Sequence, residues 1–196
     1  MSPAPSPERP AKRRHIVETA YRLFKRAGFH ATGIDRIIAE ADVAKMTMYR
    51  NFPSKEQLIV EVLEYRARRF EDQLDRLTDA PGAPEQKIDA IFDWYRRWFL
   101  RPDFHGCLFA HALAEYAEPG APIFEAAARQ KADLRRRMAD ILAVKVPARE
   151  AESLAGVILM LIEGATLMAE MGQGEEAIRS AGKAAAVLIA AAGDRH

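Results

Sequence analysis

The stretch HIVETAYRLFKRAGFHATGIDRIIAEADVAKMTMYRNFPSKEQLIVEVL, from His15 to Leu63, decides the fold of this chain. Ile16, Ala20, Leu23 and Phe24 recur at helical spacing, and Gly28 is a stop signal. Ile34, Ile37, Ile38 and Ala41 make a second, short helix. Thr32 is its expected N-cap, with Asp35 at the capping-box position. Val43, Met48 and Phe52 form the inward side of a third short helix, stopped by Pro53. Ser54 caps a fourth, with Glu56 and Gln57 in its first turn, running through Leu58, Val62 and Tyr65 toward Leu77. Two short helices across a tight turn, followed at once by a capped helix, have the geometry of a helix-turn-helix. The second helix of that motif enters the DNA major groove. Its turn usually carries glycine; here Asp42 must serve, being one of the few residue types that tolerate the left-handed conformation.

Outward from this stretch the periodicity stays helical. Asp79–Pro84 is a break, after which Ile88, Ile91, Phe92, Tyr95, Trp98 and Phe99 make a fifth helix with a wide aromatic face. Pro102 separates a sixth, about Asp103 to Ala117, and Pro119–Pro122 opens a seventh that ends near Val144. Pro147 starts an eighth, to about Met171, and a ninth follows Gly172 to about Ala192. No run alternates with period two long enough for a strand. The expected fold class is therefore all-α, with about nine helices. Pro3, Pro5, Pro7 and Pro10 and a near absence of apolar residues mark residues 1–10 as a flexible arm.

Composition narrows the function classes. The chain has 196 residues, 49% of them hydrophobic, enough for a sizeable core. Val157–Ile162 and Ala184–Ala192 are apolar but far short of the ~20 residues of a membrane span. The opening MSPAPSPERPAKRR has neither an apolar core nor a cleavage pattern, so no secretory signal is expected. A soluble, cytoplasmic protein is the expectation. The single Cys107 excludes an internal disulfide and a Cys-rich structural zinc site. Residues 1–60 hold 11 Lys/Arg against 6 Asp/Glu, whereas the remainder holds 18 against 22. A basic head on a slightly acidic body suits a polyanion partner, although a solvated helical surface has the same look.

The elements Ala20-x-x-Leu23-Phe24-x-x-x-Gly28-Phe29, Thr32-Gly33-Ile34-x-x-Ile37, Val43-x-x-x-Thr47-x-Tyr49-x-x-Phe52 and Ser54-Lys55-Glu56 together resemble the N-terminal domain of the TetR family of bacterial transcriptional regulators. The resemblance implies a helix-turn-helix DNA-binding domain over 11–60 and an effector-binding and dimerisation domain over 61–196. It implies a ligand-responsive regulator, most simply a repressor that binds a palindromic operator as a dimer and is released by a small, largely apolar effector. No catalysis, cofactor or metal is expected. The family places bases near the positions of Lys45, Met46 and Thr47 and phosphates near those of Tyr49 and Asn51. Lys45 and Arg50 have the donors for guanine or phosphate, and Thr47 for a phosphate or a thymine methyl. Thr32 at a helix N-terminus, and Lys55 in a first turn where a cation is unfavourable unless an anion joins it, are further phosphate candidates. A solvated side chain is the alternative for Arg50 and Lys55. Lys12, Arg13 and Arg14 suit a basic arm reaching phosphate or a minor groove.

For the effector, the expected lining is Trp94, Tyr95, Trp98, Phe104, Cys107, His111 and Glu163, although aromatic stripes at this spacing also serve as plain core. Cys107, His111 and Glu115 fall on one helical face, which leaves open a metal- or cysteine-dependent enzyme or sensor. A small buried cysteine beside a hydrogen-bonded histidine is the plainer reading. The helices over 147–171 and 174–192 carry broad stripes of Leu, Ile, Val and Ala. With Gly156 and Gly164 eight residues apart, these stripes suit a four-helix homodimer interface.

Overall fold

The computed structural model describes residues 8–193. These form α1 (Glu8–Ala27), α2 (Ile34–Glu40), α3 (Lys45–Asn51), α4 (Lys55–Thr78), α5 (Pro84–Phe99), α6 (Leu108–Glu115), α7 (Pro122–Leu142), α8 (Ala148–Glu170) and α9 (Gly174–Gly193), with no strand among the described residues. The all-α expectation holds. Because α1 begins at Glu8, residues 8–10 of the expected arm are helical, and Pro10 sits in the first turn, where its missing N–H costs nothing. The rest of that arm lies outside the described residues.

The helices group into two compact units. One contains the chain up to Arg68 together with Leu108–Ala128; the other contains Arg69–Cys107 and the chain from Arg129 onward. This partition differs from a single cut near residue 60, since α6 groups with the N-terminal helices.

In the first unit Ile16, Leu23, Phe24, Ile37, Met48 and Phe52 are buried from α1, α2, α3 and the residue that closes α3. Each is worth roughly 1.5–3 kcal/mol of transfer free energy, which matters for α2 and α3. At seven residues apiece, they are too short to persist unaided. The turn between them is made as the sequence required, with Asp42 at φ +48°, the one non-glycine residue at positive φ among those described. Ser54 caps α4, its hydroxyl accepting the Gln57 N–H at 3.2 Å. Thr32 is not the α2 cap. Gly33 holds that position, and the Thr32 hydroxyl donates instead to the Gly28 carbonyl at 2.8 Å.

The second unit is built on α8 and α9, with α5 laid against α9. Leu154, Ile158 and Ile162 of α8 and Ile178, Ala185 and Ile189 of α9 are buried in one core with Ile91 and Phe92. Helix α8 is long and apolar enough to cross a membrane by length and composition, contrary to the sequence expectation. This packing buries 39% of its most apolar stretch. Helix α6 begins at Leu108, five residues later than expected. Gly106 at φ +83° breaks the run, and Phe104 N–H closes a turn on the Arg101 carbonyl.

Candidate functional site

Helix α3 presents its outer face to solvent. Met46 is 73% exposed and Tyr49 41% exposed, Lys45 and Arg50 are exposed, and Thr47 is half-buried. Lys45 lies 3.4 Å from Asp35 of α2, a solvent-exposed pair of little energetic weight that leaves the ammonium able to exchange partners. The inner face is fixed by Met48 and Phe52, both fully buried. Asn51 belongs to that inner side. It is buried and its amide donates to the Thr47 carbonyl at 2.8 Å, so its side chain is not presented to a phosphate as expected. Thr32 is likewise fully buried and committed to Gly28, which removes its side chain from the candidate contacts.

Arg13 does something the sequence did not reveal. Its guanidinium donates to the Asn51 carbonyl at 2.6 Å and to Glu61 at 2.6 Å, and it stacks 4.2 Å above the Phe52 ring. It therefore ties α1, the end of α3 and α4 together, and its donors are spent on protein rather than on DNA. His15 plays a similar part at the end of α2, its Nε2 lying 3.1 Å from the Ala41 carbonyl. Sequence distances of 26 and 38 residues hide both contacts from a local reading.

Lys55 opens α4 half-buried. Burial lowers its ammonium below the ordinary lysine value, and the Glu115 carboxylate opposes that shift. Glu115 itself is engaged with backbone. Its Oε1 accepts the Phe29 N–H at 3.0 Å and its Oε2 the His30 N–H at 2.6 Å, while His30 Nε2 lies 3.0 Å from the Glu115 carbonyl. Gly28, at φ +80°, gives the chain its turn here, and a Cβ on it would approach Glu115 Oε1 to 3.0 Å. Tyr116 stacks on His30 at 4.7 Å, and burial followed by the charges of Glu115 and Glu56 raises its hydroxyl pKa. This arrangement corrects the reading of Cys107, His111 and Glu115 as one chemical triad. Glu115 serves the turn after α1, and no group of three His, Cys, Asp or Glu suited to a metal occurs among the described residues.

The expected effector residues are distributed differently from the expectation. Trp94, Trp98 and Phe104 join Phe99 in an aromatic cluster, Trp94 and Trp98 stacking at 5.6 Å and Phe104 meeting Trp98 edge-on at 4.9 Å. Trp94 donates to Gln73 at 2.8 Å, and Tyr95 is buried beside it. Lys131 joins Cys107 and Glu163, its ammonium 3.2 Å from the sulfur and 2.6 Å from the carboxylate. Burial alone would lower that ammonium, yet Cys107 and Glu163 hold it above the ordinary lysine value. His111 is half-buried on α6. The two cavities described in the second unit are lined by none of these seven residues; the larger, about 680 Å³, lies between α4, the start of α5 and α7.

A short helix braced from three sides, with a cationic and aromatic outer face, defines a helix-turn-helix DNA-binding regulator. The model of bacterial regulatory proteins of the tetR family matches residues 16–62, and that of the LmrA/YxaF-like transcriptional regulator C-terminal domain matches 84–184, just over half of the chain. The chain belongs to the TetR family, whose members bind DNA operators and generally act as dimers. It is 32% identical over 78 residues to the transcriptional repressor KstR of Mycolicibacterium smegmatis, a stretch covering 40% of this chain and 38% of KstR. To the transcriptional regulator Rv0196 of Mycobacterium tuberculosis it is 29% identical over 171 residues, 81% of this chain and 84% of that protein. The crystal structure of SCO4454, a TetR-family regulator from Streptomyces coelicolor, aligns with a TM-score of 0.86 at 25% identity, covering 93% of this chain and 97% of that one.

Proposed function

We propose that this TetR-family regulator is a ligand-responsive repressor that binds a palindromic operator as a homodimer in the cytoplasm. The observation that carries the DNA reading is the division of α3 into a fully buried inner side, Met48 and Phe52, and an outer side of Lys45, Met46, Tyr49 and Arg50. Lys45, Met46, Thr47 and Arg50 read base edges, with Lys45 and Arg50 donating to guanine O6/N7 or phosphate; Tyr49 and Lys55 hold phosphates. KstR, a relative named a repressor, is similar over 78 residues and supports the sign of regulation. For the dimer, the support is an apolar outer face on α8 and α9, where Met160, Leu167 and Val187 are 66%, 61% and 68% exposed. Gly164 has nothing within 4 Å of where a Cβ would stand, which allows a second helix to approach closely. The effector is read into the C-terminal part of the chain, where residues 84–184 match the LmrA/YxaF-like C-terminal domain model.

The test is binding to duplex DNA from upstream of the gene, measured across ionic strength. Roughly 6–10 phosphate contacts per dimer would cost about 10³–10⁵ in affinity between about 50 and 200 mM salt. Lys45→Ala is expected to cost about 1–3 kcal/mol and relax the preference at one base, whereas Tyr49→Phe weakens all sequences alike. Salt-independent binding, or a folded double variant with full affinity, contradicts the assignment.

A further inference from the structure

A carboxylate accompanies the first cation of the recognition helix. Asp35 lies in the first turn of α2 and Lys45 opens α3, and Asp35 Oδ1 is 3.4 Å from the Lys45 ammonium. Their side chains are 81% and 68% exposed, so neither is committed to the core. Whatever group the ammonium reaches, the carboxylate stands beside it. An exposed carboxylate on a DNA-binding face repels phosphate on every sequence alike, unless a base in the groove donates to it.

The major groove offers such a donor next to an acceptor. In a G·C pair guanine O6 accepts and cytosine N4 donates, and these two atoms, hydrogen-bonded to each other, are about 2.9 Å apart. A donor and an acceptor 3.4 Å apart on the protein match that couple atom for atom. Guanine N7 gives the ammonium a second acceptor beside O6. A T·A pair with thymine on the lysine side keeps the sense of the couple through O4 and adenine N6, but lacks that second acceptor. Turning either pair round sets the ammonium against an amino group and the carboxylate against a carbonyl oxygen, two repulsions at once.

We propose that Asp35 is a specificity-determining residue that reads one G·C pair of the operator jointly with Lys45. The ammonium takes guanine O6 and N7, and the carboxylate takes the N4 amino group of the paired cytosine. The proposal deepens the DNA reading given above and rests on it.

The test uses a duplex enriched by the full chain from a randomised library, with each base pair of one half-site replaced in turn by the other three. At one position wild type is expected to rank G·C above T·A, and both above C·G and A·T, inversion of G·C costing about tenfold or more. Asp35→Ala lowers that cost to about threefold or less, because it binds the inverted duplex more tightly than wild type does. A loss of α2 stability alone weakens every duplex and tightens none. Asp35→Asn, whose amide turns either a donor or an acceptor to the base, lowers the cost in the same way and keeps the side-chain shape should alanine disturb α2. In a chain already carrying Lys45→Ala, Asp35→Ala has no further effect on the preference at this pair, since the two act as a unit. An inversion cost unchanged in Asp35→Ala, affinity raised equally for all four base pairs, or the same Asp35→Ala effect without Lys45 overturns the proposal. A preference that changes in Lys45→Ala but not in Asp35→Ala refutes the role of Asp35 alone, whereas a chain that enriches no duplex refutes the DNA reading with it.

Discussion

Asp42 turns the chain between α2 and α3 at φ +48°, a region that costs an ordinary L-residue about 1–2 kcal/mol. Asp42→Gly is therefore expected to leave stability unchanged or raise it by up to about 1 kcal/mol, and Asp42→Val to lower it by about 1–2 kcal/mol, read as urea midpoints. This residue was legible because the demand comes from its immediate neighbours, as with Ser54 at the start of α4. Thr32 and Asn51 misled because their hydroxyl and amide found carbonyls one turn away, at Gly28 and Thr47, which a composition of polar residues near a helix end does not reveal. Lys131 lay outside the sequence reading because its partners are 24 and 32 residues distant. Its ammonium is held above the ordinary value near 10.5. A raised folded-state pKa gives stability that is complete below the unfolded value and lost as pH climbs through the folded one. Lys131→Met is expected to destabilise by roughly 1–3 kcal/mol at neutral pH. The gap between wild type and variant stays constant up to the lysine range and narrows as pH rises through and beyond it; a gap that stays constant across that range as well would show that the pair contributes through packing alone.

At the scale of elements, existence and order were readable and positions were not. The nine helices of the described residues follow from hydrophobic period and from proline and glycine punctuation, yet α6 starts late because Gly106 needs φ +83°. What holds α3 in place is a longer-range matter. A seven-residue helix cannot choose its own orientation, so the Arg13 guanidinium on the Asn51 carbonyl, on Glu61 and over Phe52 sets its end. A lysine lacks the planar fork that serves two acceptors and a ring at once. Arg13→Lys is expected to weaken operator binding about three- to tenfold while leaving the ranking of operator variants unchanged, because it moves the helix without touching a base-reading side chain. Lys45→Ala changes that ranking. A binding matrix measured over single-base operator variants separates the two, and an altered preference in Arg13→Lys would make Arg13 a reader after all.

For the whole molecule, the apolar stripes of the last two helices were visible in sequence, but not which residues face the chain's own core. The structure divides them: Leu154, Ile158, Ile189 and Ala192 turn inward, Leu161 packs partly against that core, and Met160, Leu167 and Val187 remain outside. Leu161, an obvious choice from periodicity, is thus a poor probe of assembly, since an arginine there damages the protomer too. Val187 and Met160 are clean ones. A dimer matters to function because it makes binding to the second half-site intramolecular, and the gain from linkage is commonly 10²–10⁴-fold. It also requires recognition helices separated by about one DNA turn, roughly 34–36 Å, or a multiple. Val187→Arg is expected to sediment as a folded monomer at micromolar concentration, with helicity and thermal unfolding close to those of a wild-type protomer. Its affinity for the palindrome falls by about 10² or more, while its affinity for a duplex carrying one half-site is that of wild type. Equal losses on both duplexes would place Val187 in the DNA-binding architecture instead, and wild-type protein that binds the palindrome tightly while sedimenting as a monomer would remove the α8–α9 face from the mechanism.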